Sequence, residues 1–149
     1  PARIVSCSSG VNDRNFMLGQ EDYQVRQRIR TTSTGNNGTP DVASGDLLEA
    51  DTTTHVVVTY DGDNVKLFVN GSLETTTARS GTFNWNSAYQ LVMGNETSND
   101  RAWLGKLFRV AIYDRALSTT QVGDVFSGNA PSTAGLEGWV YNAHWQDMP

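Results

Sequence analysis

The sequence predicts an all-β domain built as an antiparallel two-sheet sandwich. Short runs rich in β-branched and aromatic residues recur along the chain, and the spacers between them are rich in Thr, Ser, Asn and Gly. The repeated crossover helices that a parallel sheet requires are missing from the pattern. A length of 149 residues suits one domain, and 38% hydrophobic residues suffice for a core between two sheets. We therefore predict a single domain over residues 1–149.

The N-terminal part predicts three strands, at Arg3–Ser6, Phe16–Leu18 and Tyr23–Arg30. The third alternates a mostly apolar set of side chains with a polar set, which is typical of a half-buried antiparallel strand. A turn-rich loop, Thr31–Pro40, follows it.

The clearest local signal is a hairpin. The runs His55–Tyr60 and Val65–Asn70 are joined by a turn that contains Asp61-Gly62. Asp-Gly favours such a turn because glycine adopts positive φ without steric cost. Ser72–Thr77 is predicted to return as the next strand.

Two further strands are predicted at Tyr89–Met93 and Lys106–Tyr113. In the second of these, one face carries Phe108, Val110 and Ile112. We expect that face to point into the core, because it is the more apolar of the two.

One short helix is predicted at Thr119–Phe126. Ser118 can cap its N-terminus, and Gln121 stands three positions later, which completes a capping box. Gly128 can end the helix. Gly123 weakens it by roughly 1 kcal/mol relative to Ala, so the helix needs to pack on the sandwich.

Composition excludes several classes of protein. The formal net charge is −5 and the 11 Lys and Arg residues are scattered, which argues against nucleic-acid binding. No apolar run approaches the ~18–20 residues of a membrane helix, so we expect no membrane insertion. The single cysteine, Cys7, cannot form an intrachain disulfide. No basic-then-apolar leader opens the chain, so we expect any export signal to lie outside it or to have been removed.

Three groups of residues within Thr54–Gly128 carry a family resemblance. They are the hairpin Val56–Gly62 with Val65–Gly71, the segment Leu91–Glu96, and the segment Trp103–Leu107 continued by Val110–Ser118. In this order they resemble the laminin-G-like jelly rolls of the concanavalin A-like lectin/glucanase superfamily. Ala2–Ser6 followed by Arg14–Gln20 is similar to a bacterial branch of that class. The resemblance implies a jelly-roll sandwich, export to an extracellular or surface-attached location, and contact with a ligand or partner.

The C-terminal tail departs from the family order. Family members carry a Glu-x-Trp-Val strand before the Arg-Ile-Val-Ser segment, whereas here the pattern stands at Glu137–Val140. Three interpretations remain open. The chain is a circular permutant whose tail strand, Leu136–Pro149, lies beside Lys106–Tyr113; or it is one unit of a tandem array; or the tail is exchanged with a neighbouring copy.

The sequence argues against catalysis. Glucanases of the resembling superfamily carry Glu-x-Asp-x-x-Glu, which supplies two carboxylates on one strand face. The nearest match runs from Glu49 through Asp51 to Thr54, and a threonine cannot replace the second carboxylate. No Gly-x-Ser-x-Gly elbow or zinc motif is present. We predict no catalytic residues and no enzyme activity.

Calcium is the one cofactor that the resemblance suggests, because laminin-G-like domains often hold an ion at the rim of the sandwich. Asn95, Glu96 and Asp100 offer hard oxygen ligands within one loop. The alternative is a solvated loop in which Glu96 pairs with Arg101.

Exposed aromatic rings could form a platform for sugars. Trp85, Tyr89 and Trp145 are the candidate ligand-binding residues, and Trp145 could equally anchor a neighbouring subunit. Trp103 and Trp139 adjoin predicted strands and fit a core position better.

These observations lead to two hypotheses. The first is a noncatalytic extracellular recognition or adhesion module that binds carbohydrate through its rim loops, with a glycan or cell-surface polymer as partner. The second is a structural protein of a filament, sheath or virion surface that assembles with identical subunits through its C-terminal strand. A degenerate hydrolase ranks behind both.

Overall fold

The computed structural model describes residues 1–129, so the predictions for Leu136–Pro149, including Trp145, lie outside the described residues. Eight strands and one helix follow one another in this part of the chain. They are β1 (Ala2–Gly10), β2 (Asp13–Glu21), β3 (Gln24–Ile29), β4 (Val42–Ala43), β5 (Val56–Tyr60), β6 (Asn64–Val69), β7 (Ser72–Ala78), β8 (Gln90–Met93) and α1 (Thr119–Phe126).

The strands form two antiparallel sheets. One has five strands in the order β4-β3-β2-β1-β8, and the other has three in the order β5-β6-β7. This arrangement confirms the predicted all-β, two-sheet jelly-roll sandwich. No helix within residues 1–129 has the length and apolar character needed to cross a membrane.

The first two strands are longer than the apolar runs that predicted them. Their ladder continues through polar residues, because strand pairing uses backbone groups whatever the side chain. A β-bulge interrupts the ladder: Cys7 pairs with Phe16, whereas Ser8 pairs with Arg14, so Asn15 is the extra residue. The bulge turns Asn15 toward the loop described below.

The predicted hairpin is confirmed. Val56 pairs with Val69 and Tyr60 with Val65. The Asp61 carboxylate accepts hydrogen bonds from the backbone N–H groups of Asp63 and Asn64, at 3.0 and 2.7 Å. These bonds lower the pKa of Asp61 and hold the turn in place.

The core lies between the sheets and follows the strand alternation. Leu67 and Val69 of β6 pack against Val25 of β3, and Val65 packs against the side chains of Ile29 and Val42. Complete burial of each such side chain stabilises the fold by about 1.5–3 kcal/mol.

The helix and its capping box are also confirmed. The Ser118 hydroxyl accepts a hydrogen bond from the Gln121 backbone N–H at 3.2 Å, and the Gln121 side chain accepts one from the Ser118 backbone N–H at 3.0 Å. The helix buries Val122 against Phe68 and Leu117. Because Phe68 alternates with core-facing Leu67, α1 covers the outer face of the three-stranded sheet.

No strand is assigned at Lys106–Tyr113 within residues 1–129, and the neighbour predicted for it, Leu136–Pro149, lies outside the described residues, so this strand stays a prediction. The predicted core face is wrong, since Phe108 and Ile112 are 59% and 49% exposed. The opposite face is the more buried one, because Tyr113 packs into the cluster around Phe68 beneath α1.

Candidate functional site

Three aromatic side chains form an exposed patch at one end of the sandwich. Trp85 and Phe83 lie in the connection between β7 and β8 and are 52% and 38% exposed. Their ring centroids are 5.2 Å apart, and the Phe16 ring of β2 lies 6.2 Å from that of Trp85. We call Phe16, Phe83 and Trp85 the aromatic ledge.

The bulge in β2 fastens the loop that carries the ledge. The buried Asn15 amide donates to the Asn86 carbonyl at 2.9 Å, and its oxygen accepts from the Asn86 backbone N–H at 2.7 Å. This pair of bonds fixes the loop immediately after Trp85. The bulge therefore orients the Asn15 side-chain amide toward the loop.

A second set of bonds fastens the loop to the end of β3. Phe83 forms a β-bridge with Thr31, and the Asn84 backbone N–H donates to the Arg30 carbonyl at 3.0 Å. The Thr32 backbone N–H donates to the Thr82 carbonyl at 2.9 Å. The two rings of the ledge that belong to the loop, Phe83 and Trp85, thus lie on a backbone that is fixed on both sides of Trp85.

The structure separates the two predicted aromatic candidates within this loop. Tyr89 is half-buried, and its hydroxyl accepts a hydrogen bond from Arg30 at 3.1 Å. The Arg30 guanidinium carbon also lies 5.8 Å from the Tyr89 ring centroid, a cation–π distance. Tyr89 therefore packs with Arg30, whereas Trp85 packs with the other rings of the ledge.

Sequence reasoning missed two members of the ledge. The sequence predicts a strand at Phe16, but it indicates no binding role for Phe16 or for Phe83. The available signal was the spacing of Phe83 and Trp85 two residues apart in an extended loop, which places both rings on one side.

The three predicted calcium ligands do not converge. Glu96 is only 2% exposed, and its carboxylate oxygens lie 3.2 Å from Arg3 Nε and 3.2 Å from Arg14 Nη1. The predicted alternative, a pair between Glu96 and Arg101, is wrong for the same reason. Glu96 points inward to a buried pair of guanidiniums.

The other two predicted ligands, Asn95 and Asp100, accept hydrogen bonds from residues of their own loop. The Asn95 side-chain oxygen accepts the backbone N–H groups of Glu96 and Arg101, at 2.9 and 3.0 Å. The Asp100 carboxylate accepts the Ser98 hydroxyl, which lowers the pKa of Asp100. Residues 1–129 hold no group of three or more acidic, His or Cys side chains placed for a metal. The loop does not fit a calcium ion.

The stretch nearest to the glucanase pattern is not a strand. Glu49, Asp51 and Thr54 lie in the irregular connection between β4 and β5, and Asp51 has a positive φ of 57°. Side chains in such a connection do not alternate along one face. The stretch therefore lacks the strand on which the glucanase pattern sets its two carboxylates.

Comparisons with known proteins agree with this architecture. The family model Laminin_G_3, described as concanavalin A-like lectin/glucanases superfamily, matches residues 1–123. Comparison with curated proteins gives no match. Among solved structures, the CBM40 module of the Ruminococcus gnavus IT-sialidase is 18% identical with a TM-score of 0.67. The same module bound to alpha2,3 sialyllactose is 19% identical with a TM-score of 0.66. Each match covers 83% of this chain and 73% of that chain.

Proposed function

The chain belongs to the concanavalin A-like lectin/glucanase superfamily through its laminin-G-like family, and on that premise we propose that it is a noncatalytic carbohydrate-binding module. The observation that carries the proposal is the aromatic ledge of Phe16, Phe83 and Trp85. The two solved neighbours support it, since both are carbohydrate-binding modules and one holds a sialylated sugar. We place the module outside the cell or on its surface, where it acts in recognition or adhesion.

The chemistry of the ledge suits a sugar. A pyranose ring presents a face of C–H groups that packs on an aromatic ring, while its hydroxyls need hydrogen-bonding partners. Trp85 supplies an exposed indole face, and the Phe83 ring 5.2 Å away extends the apolar surface. A site with few polar groups around apolar rings is the usual composition of a small-ligand site.

The rigidity of the loop favours binding. Ordering a flexible loop on association reduces affinity, whereas a preorganised loop avoids that loss. The bonds from Asn15 to Asn86 and from Asn84 to Arg30 fix the backbone before a ligand arrives.

A Trp85→Ala variant tests the proposal. Glycan-array screening of the wild-type chain identifies a ligand, and calorimetry then compares the two proteins. We expect the variant to bind at least about tenfold more weakly, which corresponds to about 1.4 kcal/mol. Its melting temperature should change little, because about half of the Trp85 surface is already exposed.

Tyr23→Ala is the matched control. Tyr23 is an exposed aromatic residue in the turn between β2 and β3, at the opposite end of β2 from Phe16. We expect the control to bind like the wild type. Absence of any glycan ligand, or equal binding by Trp85→Ala, would overturn the proposal.

A second candidate function is self-assembly through the C-terminal strand. The observation that favours it is the apolar surface of the segment 106–113, where Phe108 and Ile112 are exposed. The edge strand β8 also exposes Leu91 and Met93. A strand at the edge of a sheet with exposed apolar side chains is a template for strand addition, and the proposed partner is an identical subunit.

Light scattering after gel filtration tests the assembly proposal. Oligomers that grow with concentration and disappear on deletion of Leu136–Pro149 would support it. A monomer at every concentration, with or without the tail, would remove it.

A further inference from the structure

The inner face of the five-stranded sheet continues onto its edge strand, β8. Phe16 of β2 pairs with the core residue Ile29 of β3 on one side and with Cys7 of β1 on the other. Cys7 in turn pairs with Leu91 of β8. Because paired residues of an antiparallel ladder point to the same side of the sheet, Leu91 and its alternate neighbour Met93 point to the core side.

These two side chains are exposed although they lie on the core side. Leu91 and Met93 are 48% and 55% exposed, whereas their partners on β1, Cys7 and Val5, are 2% and 7% exposed. Within residues 1–129 the inner face is therefore covered at β1 and open at β8. We call Leu91 and Met93 the open strip.

The three-stranded sheet lies toward the other edge of the sandwich. Its two edge strands are β5 and β7. Arg79, which directly follows β7, donates to the carbonyl of Pro40, two residues before β4, at 2.6 Å. β7 therefore lies on the β4 side, and β5 is the edge nearer to β1 and β8. No strand assigned within residues 1–129 continues this sheet beyond β5 toward the open strip.

The chain leaves the described residues close to β5. The ring centroid of Phe126, at the end of α1, lies 5.6 Å from that of His55, which directly precedes β5. The Asn129 backbone N–H donates to the Asp124 carbonyl at 2.8 Å, so the chain is still held by the helix at residue 129. The 20 residues from 130 to 149 therefore start beside the strand that borders the uncovered side of the sandwich.

The sequence after the helix contains a segment suited to an apolar sheet face. Leu136–Tyr141 includes aromatic and β-branched residues, which favour strands. In an extended conformation Trp139 and Tyr141 point to one side, with the same two-residue spacing as the members of the open strip. Residues 130–135 can span up to about 20 Å. This reach exceeds the about 10 Å that separates packed sheets, so the segment can reach the inner layer.

We propose that Leu136–Tyr141 of the same chain packs over the open strip, with Trp139 and Tyr141 against Leu91 and Met93. Aromatic side chains bury large apolar areas, so the contact removes from water the two apolar side chains that β8 leaves exposed. The segment closes the sandwich, which is a structural role beyond the proposed carbohydrate binding. The same segment donated by a neighbouring copy is the contact of the assembly candidate, and the two arrangements differ in oligomeric state.

A double-mutant cycle in the full chain tests the contact. Met93→Ala should lower the melting temperature by at least about 4 °C, as truncation of a covered methionine does, whereas truncation of an exposed one changes it little. Trp139→Ala should lower it by at least as much. The double variant should melt within about 2 °C of Trp139→Ala alone, because that variant has already lost the contact.

Leu73→Ala is the matched control. Leu73 is 46% exposed, and its pairing with Phe68 places it on the outer face of the three-stranded sheet. Its truncation should change the melting temperature little, and its effect should add to that of Trp139→Ala. NMR of the ¹⁵N-labelled chain covers the case in which Trp139→Ala does not fold. The indole N–H signal of Trp139, assigned with Trp139→Phe, should shift in Met93→Ala and stay in place in Leu73→Ala.

Light scattering after gel filtration shows whose segment makes the contact. Coupling between Met93 and Trp139 in a monomer, with a melting temperature independent of protein concentration, supports the proposal. Additive effects of Met93→Ala and Trp139→Ala, or an indole signal of Trp139 that Met93→Ala does not move, would overturn it. Coupling found only in oligomers would also overturn it, because a neighbouring copy then supplies the segment.

Discussion

Replacing Glu96 with Gln removes one buried negative charge and keeps the shape of the side chain. Glu96 is 2% exposed, and its two oxygens lie 3.2 Å from Arg3 Nε and 3.2 Å from Arg14 Nη1. The two arginine side chains are 3% and 0% exposed, so water cannot take over the lost interaction. The NH₂ group of the new glutamine side chain is also a hydrogen-bond donor, and it would face an N–H donor of Arg3 or Arg14.

The expected loss follows from this geometry. Breaking a buried ion pair by removing one partner costs about 3–5 kcal/mol, because the remaining charge is left buried without compensation. A domain of this size loses about 2–4 °C in melting temperature per kcal/mol, so Glu96→Gln should melt about 6–20 °C lower. Since small domains are stable by about 5–15 kcal/mol, this is a large fraction of the total.

Urea unfolding, monitored by tryptophan fluorescence, measures the loss in the free energy of unfolding. Glu21→Gln is the control. Glu21 pairs with Arg26 at 2.9 Å but is 44% exposed, so its removal should change the free energy of unfolding by at most about 1 kcal/mol. Calcium and chelators should leave the wild-type transition unchanged. A loss below about 1 kcal/mol in Glu96→Gln, or a melting temperature that rises with calcium, would refute the buried-pair interpretation.

Three further predictions concern the fold. Leu67→Ala should lower the free energy of unfolding by about 2–5 kcal/mol, because Leu67 is fully buried between the sheets; a loss under about 1 kcal/mol in urea would contradict the assigned core. Ser118→Ala should cost about 0.5–2 kcal/mol by removing the helix cap, without changing glycan affinity, and an unaltered urea midpoint would argue against the capping box. Burial, followed by repulsion from Arg109, lowers the pKa of His55, so the unfolded chain binds the proton more readily and stability should decline as the pH falls below about 6.5. His55→Gln should reduce that decline, and an identical pH profile would exclude His55 as its cause.

Local patterns in the sequence are sufficient to predict much of the fold. The hairpin at Asp61 and the cap at Ser118 involve residues within a few positions of each other, so their chemistry is readable from the chain. Alternation along β3 likewise separates Val25 and Ile29 from the arginines between them.

The features that escape sequence reasoning depend on distant contacts. Glu96 contacts Arg3, which lies 93 positions earlier in the chain. The sequence alone therefore could not show whether this loop offers its oxygens to a metal ion or buries its carboxylate. The segment 106–113 alternates like a strand, but whether such a segment joins a sheet depends on a neighbour. The aromatic ledge combines Phe16 of β2 with a loop almost 70 positions later, and they are brought together by the bulge at Asn15 and by the bonds of the loop to the end of β3.

The most direct test of carbohydrate binding at the ledge is a titration of the ¹⁵N-labelled chain with its array-identified glycan, followed by NMR. We predict that the indole N–H signal of Trp85, assigned with Trp85→Phe, and the backbone amides of residues 83–86 shift most. The indole of Trp103, which donates to Gln20 at 2.8 Å, should shift little. Shifts concentrated elsewhere while the Trp85 signals stay in place would contradict the account.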